Sequence, residues 1–268
     1  MINTHHLNDF VPILKKICFE AGQTVMKVYA SNKLGVREKL DKSLVTLADL
    51  ASHDYIVEQL KKTWPNISIV SEEDTSISFN SNGVEQFWLI DPLDGTKEFL
   101  VGSGEFTINI ALIHKTKAVM GFVYAPAMSL LYWGGQGLGA YRMLDRVETP
   151  IQVALYNPGA IKRIEASKSH LNDATTSFIE SLGEVELSYT GSSLKFCRIA
   201  EGSADIYPRI APTSEWDTAA AQAVLEAAGG VVVDLNGRSL VYGKSNILNP
   251  PFIATSNRSL IPGLLTVL

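Results

Sequence analysis

Cysteine is scarce in this chain. There are two in 268 residues, Cys18 and Cys197, with no metal-ligand spacing between them. That excludes a disulfide framework and a cysteine-based zinc site, and it makes a reducing, cytoplasmic compartment the expectation. Long hydrophobic runs are also missing. No stretch reaches the roughly 20 consecutive apolar residues that span a bilayer, so no transmembrane segment is expected. The opening residues, MINTHHLNDF, have neither a basic start nor a long apolar stretch, and no secretory signal is expected from them. There is no excess of positive charge: 23 Lys and Arg stand against 28 Asp and Glu, a net −5. That balance argues against a nucleic-acid-coating protein and against a generic binder of anionic membranes. It leaves small anionic substrates open, because a bound cation cluster reverses the field at one site. Repeats and low-complexity tracts are absent as well.

What is present is an ordinary globular composition, 46% hydrophobic and 19% charged, in a chain long enough for one large domain or two modest ones. Apolar residues at helical spacing predict a helix over 7–29, with His5 and His6 in a frayed tail ahead of it and Cys18 on its apolar stripe. Residues 36–44 read as a polar loop. A second helix is expected over 46–60, with Thr46 as its N-cap and Asp49 three residues on. A short strand at 67–70 runs into Ser71-Glu72-Glu73-Asp74, and 80–86 reads as a loop. Strands at 106–114 and 118–124, the latter ended by Pro126, lead to a hairpin meander through GGQGLGA. That glycine segment continues as Ala-Tyr-Arg rather than as a helix, so it is not a dinucleotide loop. The pattern changes near Pro150. Strands at 161–166, 184–189 and 204–207 then alternate with helices at 173–182 and 194–202, an α/β unit, with Pro208 ending its last strand. An alanine-rich helix at 216–228 and strands at 231–233 and 252–254 complete the chain. The division expected is 1–150 and 151–268.

The organising stretch is WLIDPLDGTKEF, residues 88–99. Its apolar start reads as a buried strand that stops at Asp91, because Pro92 has no N–H for a ladder and Gly95 permits a tight turn. Asp91 and Asp94 then sit three apart at a strand end, where an irregular turn lets both face one point and hold a hard cation through oxygen. Gly95 and Thr96 follow with N–H groups suited to a phosphate oxygen. Taken alone, the motif favours a turn with two solvated aspartates. Asp49 alone is a helix-capping carboxylate, and the run Glu72-Glu73-Asp74 alone is a solvated acidic cluster.

Together, VTLAD (45–49), SEED (71–74), DPLDGT (91–96) and EWDTAA (215–220) resemble the metal-dependent, lithium-sensitive phosphomonoesterase superfamily that includes inositol monophosphatase. GTKEFLVGSGEFTINIAL (95–112), GSSLKFC (191–197) and DIYPRIAPTSEWDTAA (205–220) resemble its bacterial 3′(2′),5′-bisphosphate nucleotidase branch. The resemblance covers nearly the whole chain. It implies a layered αβαβα sandwich with two or three Mg²⁺ between its halves. It implies Glu72, Asp91 and the Leu93 carbonyl as ligands of one ion, and Asp91, Asp94 and Asp217 as ligands of a second. It gives Thr96 the attacking water to orient and Asp49 the Thr96 hydroxyl to hold. Glu73 has the weaker claim, as an outer or solvated carboxylate.

Within that resemblance, Gly95 and Thr96 bind the phosphate that is cleaved. Ser192, Lys195 and Arg209 bind the second phosphate of a nucleotide, and His170 lies near its base or is an exposed helix-cap residue. The implied reaction is hydrolysis of adenosine 3′,5′-bisphosphate to AMP and phosphate, in sulfur assimilation. An inositol- or sugar-phosphate phosphatase is the alternative, and a non-catalytic binder associated with RNA or transcription a further one. The resemblance leaves oligomeric state and peripheral attachment to the inner membrane open.

Overall fold

Phe87 and Leu89 face one side of strand β4 (Gln86–Asp94), Trp88 and Ile90 the other, and all four are buried. A strand buried on both faces has to lie between two other layers, and the fold follows from that. The computed structural model describes residues 4–31, 33–39, 43–74, 84–155 and 157–267. β4 belongs to a seven-stranded sheet in which β3 (Ser68–Ser71), β4, β5 (Thr107–His114), β6 (Lys117–Ala125), β7 (Leu130–Gly135), β8 (Gly139–Leu144) and β9 (Val147–Ile151) lie in sequence order. β3 and β4 are parallel, and the rest is the antiparallel meander expected from the sequence. A second sheet has five strands in the order β11 (Val185–Thr190), β10 (Lys162–Ser167), β12 (Ile206–Arg209), β16 (Phe252–Thr255) and β14 (Val231–Asp234).

Three buried clusters define the layers between them. Helices α1 (Thr4–Ala30) and α2 (Leu47–Thr63) cover the Trp88 face of the first sheet. Helices α5 (Leu194–Ala200) and α6 (Ala219–Ala227) fill the middle, touching Phe87 and Leu89 on one side and Tyr207 and Phe252 of the second sheet on the other. Helices α4 (Asp173–Ser181) and α7 (Ile261–Leu265) close the outer face through Phe178, Ile179 and Leu264. This is the αβαβα sandwich that the resemblance implied. The first sheet ends at Ile151 and the second begins at Lys162, yet one helical layer serves both. The alanines of α6 let that layer approach closely. A Cβ at Gly121 of β6 would meet the Ala220 carbonyl oxygen at 2.0 Å.

Several expected boundaries move. Helix α1 already includes the backbone of residues 5 and 6, so they are not a frayed tail, and the side chains of His5 and His6 lie outside the described residues. Most of the loop expected at 80–86 also lies outside them. Residues 36–44 contain a two-residue ribbon, β1 (Arg37–Glu38) with β2 (Leu44–Val45). Two prolines do not end their strands. Pro208 sits inside β12, paired with Ile253 of β16, where β10 bonds β12 only at Ile206 and so needs no donor from Pro208. Pro92 sits inside β4 at a bulge. Asp91 pairs with Asn109 and Asp94 with Thr107, so three steps on β4 oppose two on β5.

Candidate active site

The bulge decides where the two aspartates point. In a regular strand, residues three apart face opposite sides. One extra residue restores the parity, so Asp91 and Asp94 both line one cavity of about 780 Å³ at the end of β4. Leu93 N–H donates to Asp91 Oδ1 at 3.0 Å, and Ser52 of α2 donates to the Pro92 carbonyl at 2.9 Å, which pins the bulge from below. Gly95 is left-handed (φ 88°, ψ 46°), which turns the chain into the short helix α3 (Thr96–Leu100).

Glu72 enters from the end of parallel strand β3, where its N–H donates to the Ile90 carbonyl. Asp217 enters from the other half, on the loop between β13 (Thr213–Ser214) and α6, with Ser214 N–H donating to its Oδ2 at 2.8 Å. That loop is held by β15 (Leu248–Asn249) and by buried Glu215, which accepts from Gly243 N at 2.6 Å and Lys244 N at 3.0 Å. Glu72, Asp91 and Asp217 each bring one carboxylate oxygen within 4.8 Å of the others. Asp94 lies alongside and accepts from Ser193 N–H and Oγ, each at 2.7 Å.

Such a cluster repels itself, and its titration reflects this. Asp91 is pushed well above the usual carboxylate range by burial first, then by Glu72, Asp94 and Asp217. Asp217 is raised in the same way by burial, Asp94 and Glu72. Burial raises Glu72 to about 7, although the Lys39 ammonium opposes it. Asp94 is raised by burial, against the opposing effects of Lys195 and Ser193. Four buried or half-buried carboxylates with two nearby ammonium groups, Lys39 and Lys195, are a donor set that wants cations. Hard oxygen ligands suit a Mg²⁺-like ion, and Leu93 lines the same cavity.

Every residue singled out for the site lines the cavity except Asp49, which is buried, and Glu73. Asp49 completes a capping box, with Thr46 N–H donating to Oδ2 at 2.8 Å and the Thr46 hydroxyl donating to the same oxygen. The expected hydrogen bond between Asp49 and Thr96 is not made among the described residues, because Asp49 Oδ2 is turned to its own helix start. Burial raises Asp49 to about 6. Glu73 is not part of the carboxylate cluster. It pairs with Lys39 Nζ at 2.6 Å, and the same ammonium reaches Glu72 Oε1 at 3.0 Å.

The far wall is cationic. Lys195 is buried, its ammonium donating to the Thr190 carbonyl at 3.3 Å and to the Ser192 carbonyl, 5.2 Å from the centre of the Tyr207 ring. Burial and the neighbouring Arg209 lower its pKa to about 8, opposed by Asp94. Arg209 Nη2 donates to the Pro212 carbonyl at 3.1 Å, and its buried Nε has no partner among the described residues. Ser192 takes a positive φ of 47°, and its hydroxyl lies 3.2 Å from that of Thr107. His170 is not a helix cap, since Asn172 caps α4. Partial desolvation, then Lys97 and Arg209, push His170 down to about 4, so it is neutral near pH 7.

Four participants were not legible beforehand: Lys39, Glu98, Asn109 and Ser193. Buried Glu98 accepts from Ser169 across the two halves. Asn109 Nδ2 donates to Ser193 Oγ at 2.9 Å. Only a register between distant segments creates these pairs, so no local pattern carries them.

A nest of carboxylates at strand ends and on a loop, facing a cationic wall in an αβαβα sandwich, is a donor set able to hold metal ions beside a bound phosphate. The chain belongs to the inositol monophosphatase family, whose model matches residues 6–266. It is 42% identical over 248 residues to the 3′(2′),5′-bisphosphate nucleotidase CysQ of Salmonella typhimurium, covering 91% of this chain and 99% of that one. The CysQ nucleotidase of Escherichia coli K12 is also 42% identical, over 87% of this chain and 94% of its own. Among solved structures, CysQ of Bacteroides thetaiotaomicron superposes with a TM-score of 0.78 at 37% identity, covering 90% of this chain and 94% of that chain. SuhB of Bartonella henselae shares the fold at a TM-score of 0.80 and 24% identity, over 97% and 98% of the two chains.

Proposed function

We propose that this protein hydrolyses the 3′-phosphate of adenosine 3′,5′-bisphosphate, giving AMP and phosphate, with Mg²⁺ as its cofactor. The observation that carries the reading is one cavity with two poles: four carboxylates gathered from both halves, opposite buried Lys195 and Arg209. The CysQ relatives support it. Glu72, Asp91 and the Leu93 carbonyl would hold one ion and Asp91, Asp94 and Asp217 a second. Such ions neutralise phosphate charge, lower the pKa of water and stabilise the leaving oxygen. The first half thus supplies most of the metal ligands, and the second supplies Asp217 and the substrate-recognition residues.

The chain's own groups do the rest. The Gly95 and Thr96 amides, presented by the left-handed turn, receive oxygens of the scissile phosphate. The Thr96 hydroxyl orients the attacking water, and Asp49, raised to about 6, accepts a proton relayed through that hydroxyl once it turns from Thr46. Ser192, Lys195 and Arg209 hold the second phosphate, and neutral His170 lies flat against the base rather than pairing with an anion.

Phosphate release with Mg²⁺ tests this directly, comparing adenosine 3′,5′-bisphosphate, inositol 1-phosphate and AMP, with Li⁺ or K⁺ added. Fast release from the bisphosphate, inhibited by Li⁺ and not by K⁺, is the expected result. A preference for inositol 1-phosphate, or no release from any of them, overturns the reading.

A pH dependence follows from Lys195. Its charged form, which binds the anion, is lost as pH rises through about 8. KM for the bisphosphate should therefore climb above pH 8. In Lys195→Met, KM should rise roughly 10- to 100-fold, the loss of one hydrogen bond to a charged group, and no longer vary over that range. A KM that is flat in the parent enzyme, or unchanged in the variant, removes Lys195 from substrate binding.

A further inference from the structure

Asp94 and Asp217 reach the site from opposite halves of the chain, and one hydroxyl touches both. Ser193 Oγ lies 2.7 Å from Asp94 Oδ2 and 2.8 Å from the Asp217 backbone carbonyl. Ser193 N–H donates to the same Asp94 oxygen at 2.7 Å. Asn109 Nδ2, across the sheet on β5, donates to Ser193 Oγ at 2.9 Å and reaches Asp94 Oδ2 at 3.4 Å. The Thr107 hydroxyl donates to Asn109 Oδ1 at 3.1 Å, which orients the amide with its NH₂ toward Ser193. Ser193 and Asn109 are themselves almost fully buried.

The hydrogen count gives this arrangement a direction. Asn109 fills one lone pair of the Ser193 hydroxyl, so its single hydrogen is left for the two acceptors, Asp94 Oδ2 and the Asp217 carbonyl. All the donors that reach Asp94 arrive at Oδ2. Oδ1 keeps no donor among the described residues and is the oxygen available to a cation.

We propose that Ser193, oriented by Asn109, is the positioning residue that sets the spacing of Asp94 against Asp217, and so tunes the affinity of the cation held between the two halves. The inference rests on the two-cation reading of the site. It makes Ser193 neither a ligand nor a contact of the substrate. It predicts a selective effect, because the carboxylates of Glu72 and Asp91 are held by other contacts, with Lys39 Nζ and the Leu93 amide.

The test is a Mn²⁺ titration of the full-length protein followed by electron paramagnetic resonance, with thermal unfolding measured without cations. The parent protein should bind two Mn²⁺. In Ser193→Ala one of the two affinities should fall roughly tenfold or more, as for other outer partners of metal ligands, while the other holds. Ser193→Thr, which keeps the hydroxyl, should restore it. Asn109→Ala should show the same selective loss, and it carries the test if Ser193→Ala does not fold. Unchanged affinities in Ser193→Ala, or an equal loss at both sites with a lowered unfolding midpoint, overturn the proposal. A parent protein that binds no Mn²⁺ overturns the two-cation reading itself.

Discussion

Asp91→Asn is expected to abolish phosphate release and, at the same time, to raise the unfolding midpoint of the cation-free protein. Asp91 is almost fully buried and faces Glu72, Asp94 and Asp217, all of the same sign. An amide of the same shape keeps the bond from Leu93 N–H to Oδ1 and removes one charge from the cluster. Repulsion falls, so the variant without cations should be more stable by a few degrees, since about 1 kcal/mol moves the midpoint by roughly 2–4 °C in a chain of this size. Activity should fall by more than the ~10²–10³-fold that loss of one preorganised donor costs, because Asp91 is the ligand assigned to both ions. Adding Mg²⁺ then separates the two proteins. It should stabilise the parent by mass action and leave the variant nearly unmoved. Scanning calorimetry with and without Mg²⁺, beside a phosphate-release assay, checks both halves. A variant that is active, or less stable than the parent without cations, would show that Asp91 is not held against its neighbours.

Gly121→Ala should destabilise the protein strongly although it lies outside the site. The added Cβ would sit 2.0 Å from the Ala220 carbonyl oxygen and 2.7 Å from its carbon, both backbone atoms of α6. Neither can rotate away, so strand and helix must part. The expected loss is about 3 kcal/mol, the upper end for overpacking, or roughly 6–12 °C in the midpoint. Chemical denaturation measures it. A loss below about 1 kcal/mol would mean that the middle layer slides more easily than tight core packing allows.

The fold was legible where periodicity and punctuation agree. Thr46 and Asp49 announced the start of α2, and the apolar run at 87–90 announced a buried strand. Legibility failed where proline served another purpose. Pro92 reads as a stop, but a bulge absorbs its missing donor, and the bulge in turn aims Asp91 and Asp94 at one point. Pro208 reads as a stop as well, although its neighbouring strand asks nothing of it. The candidate ligands were legible because oxygen-rich motifs recur at strand and helix ends. Lys39, Asn109 and Ser193 were not, because their roles exist only between segments that are distant in the chain. Asp49 was read through the resemblance as a partner of Thr96, and locally as a cap, and the cap is the arrangement that its hydrogen bonds display.

The helical layer shared by the two sheets bears on how the molecule is made. When the first sheet has left the ribosome, Phe87, Leu89 and Val123 have no cover, because the residues that pack on them belong to α5 and α6, which are synthesised later. The early half therefore waits as an open, sticky surface, and collapse onto it is a late, long-range step of the kind that slows folding and invites misassembly. The carboxylates of the two halves meet only in that last docking step, so the repulsion among them opposes closure at the moment when the apolar layer drives it. On the two-cation reading proposed above, a cation entering the cluster would relieve that opposition and so assist closure as well as chemistry.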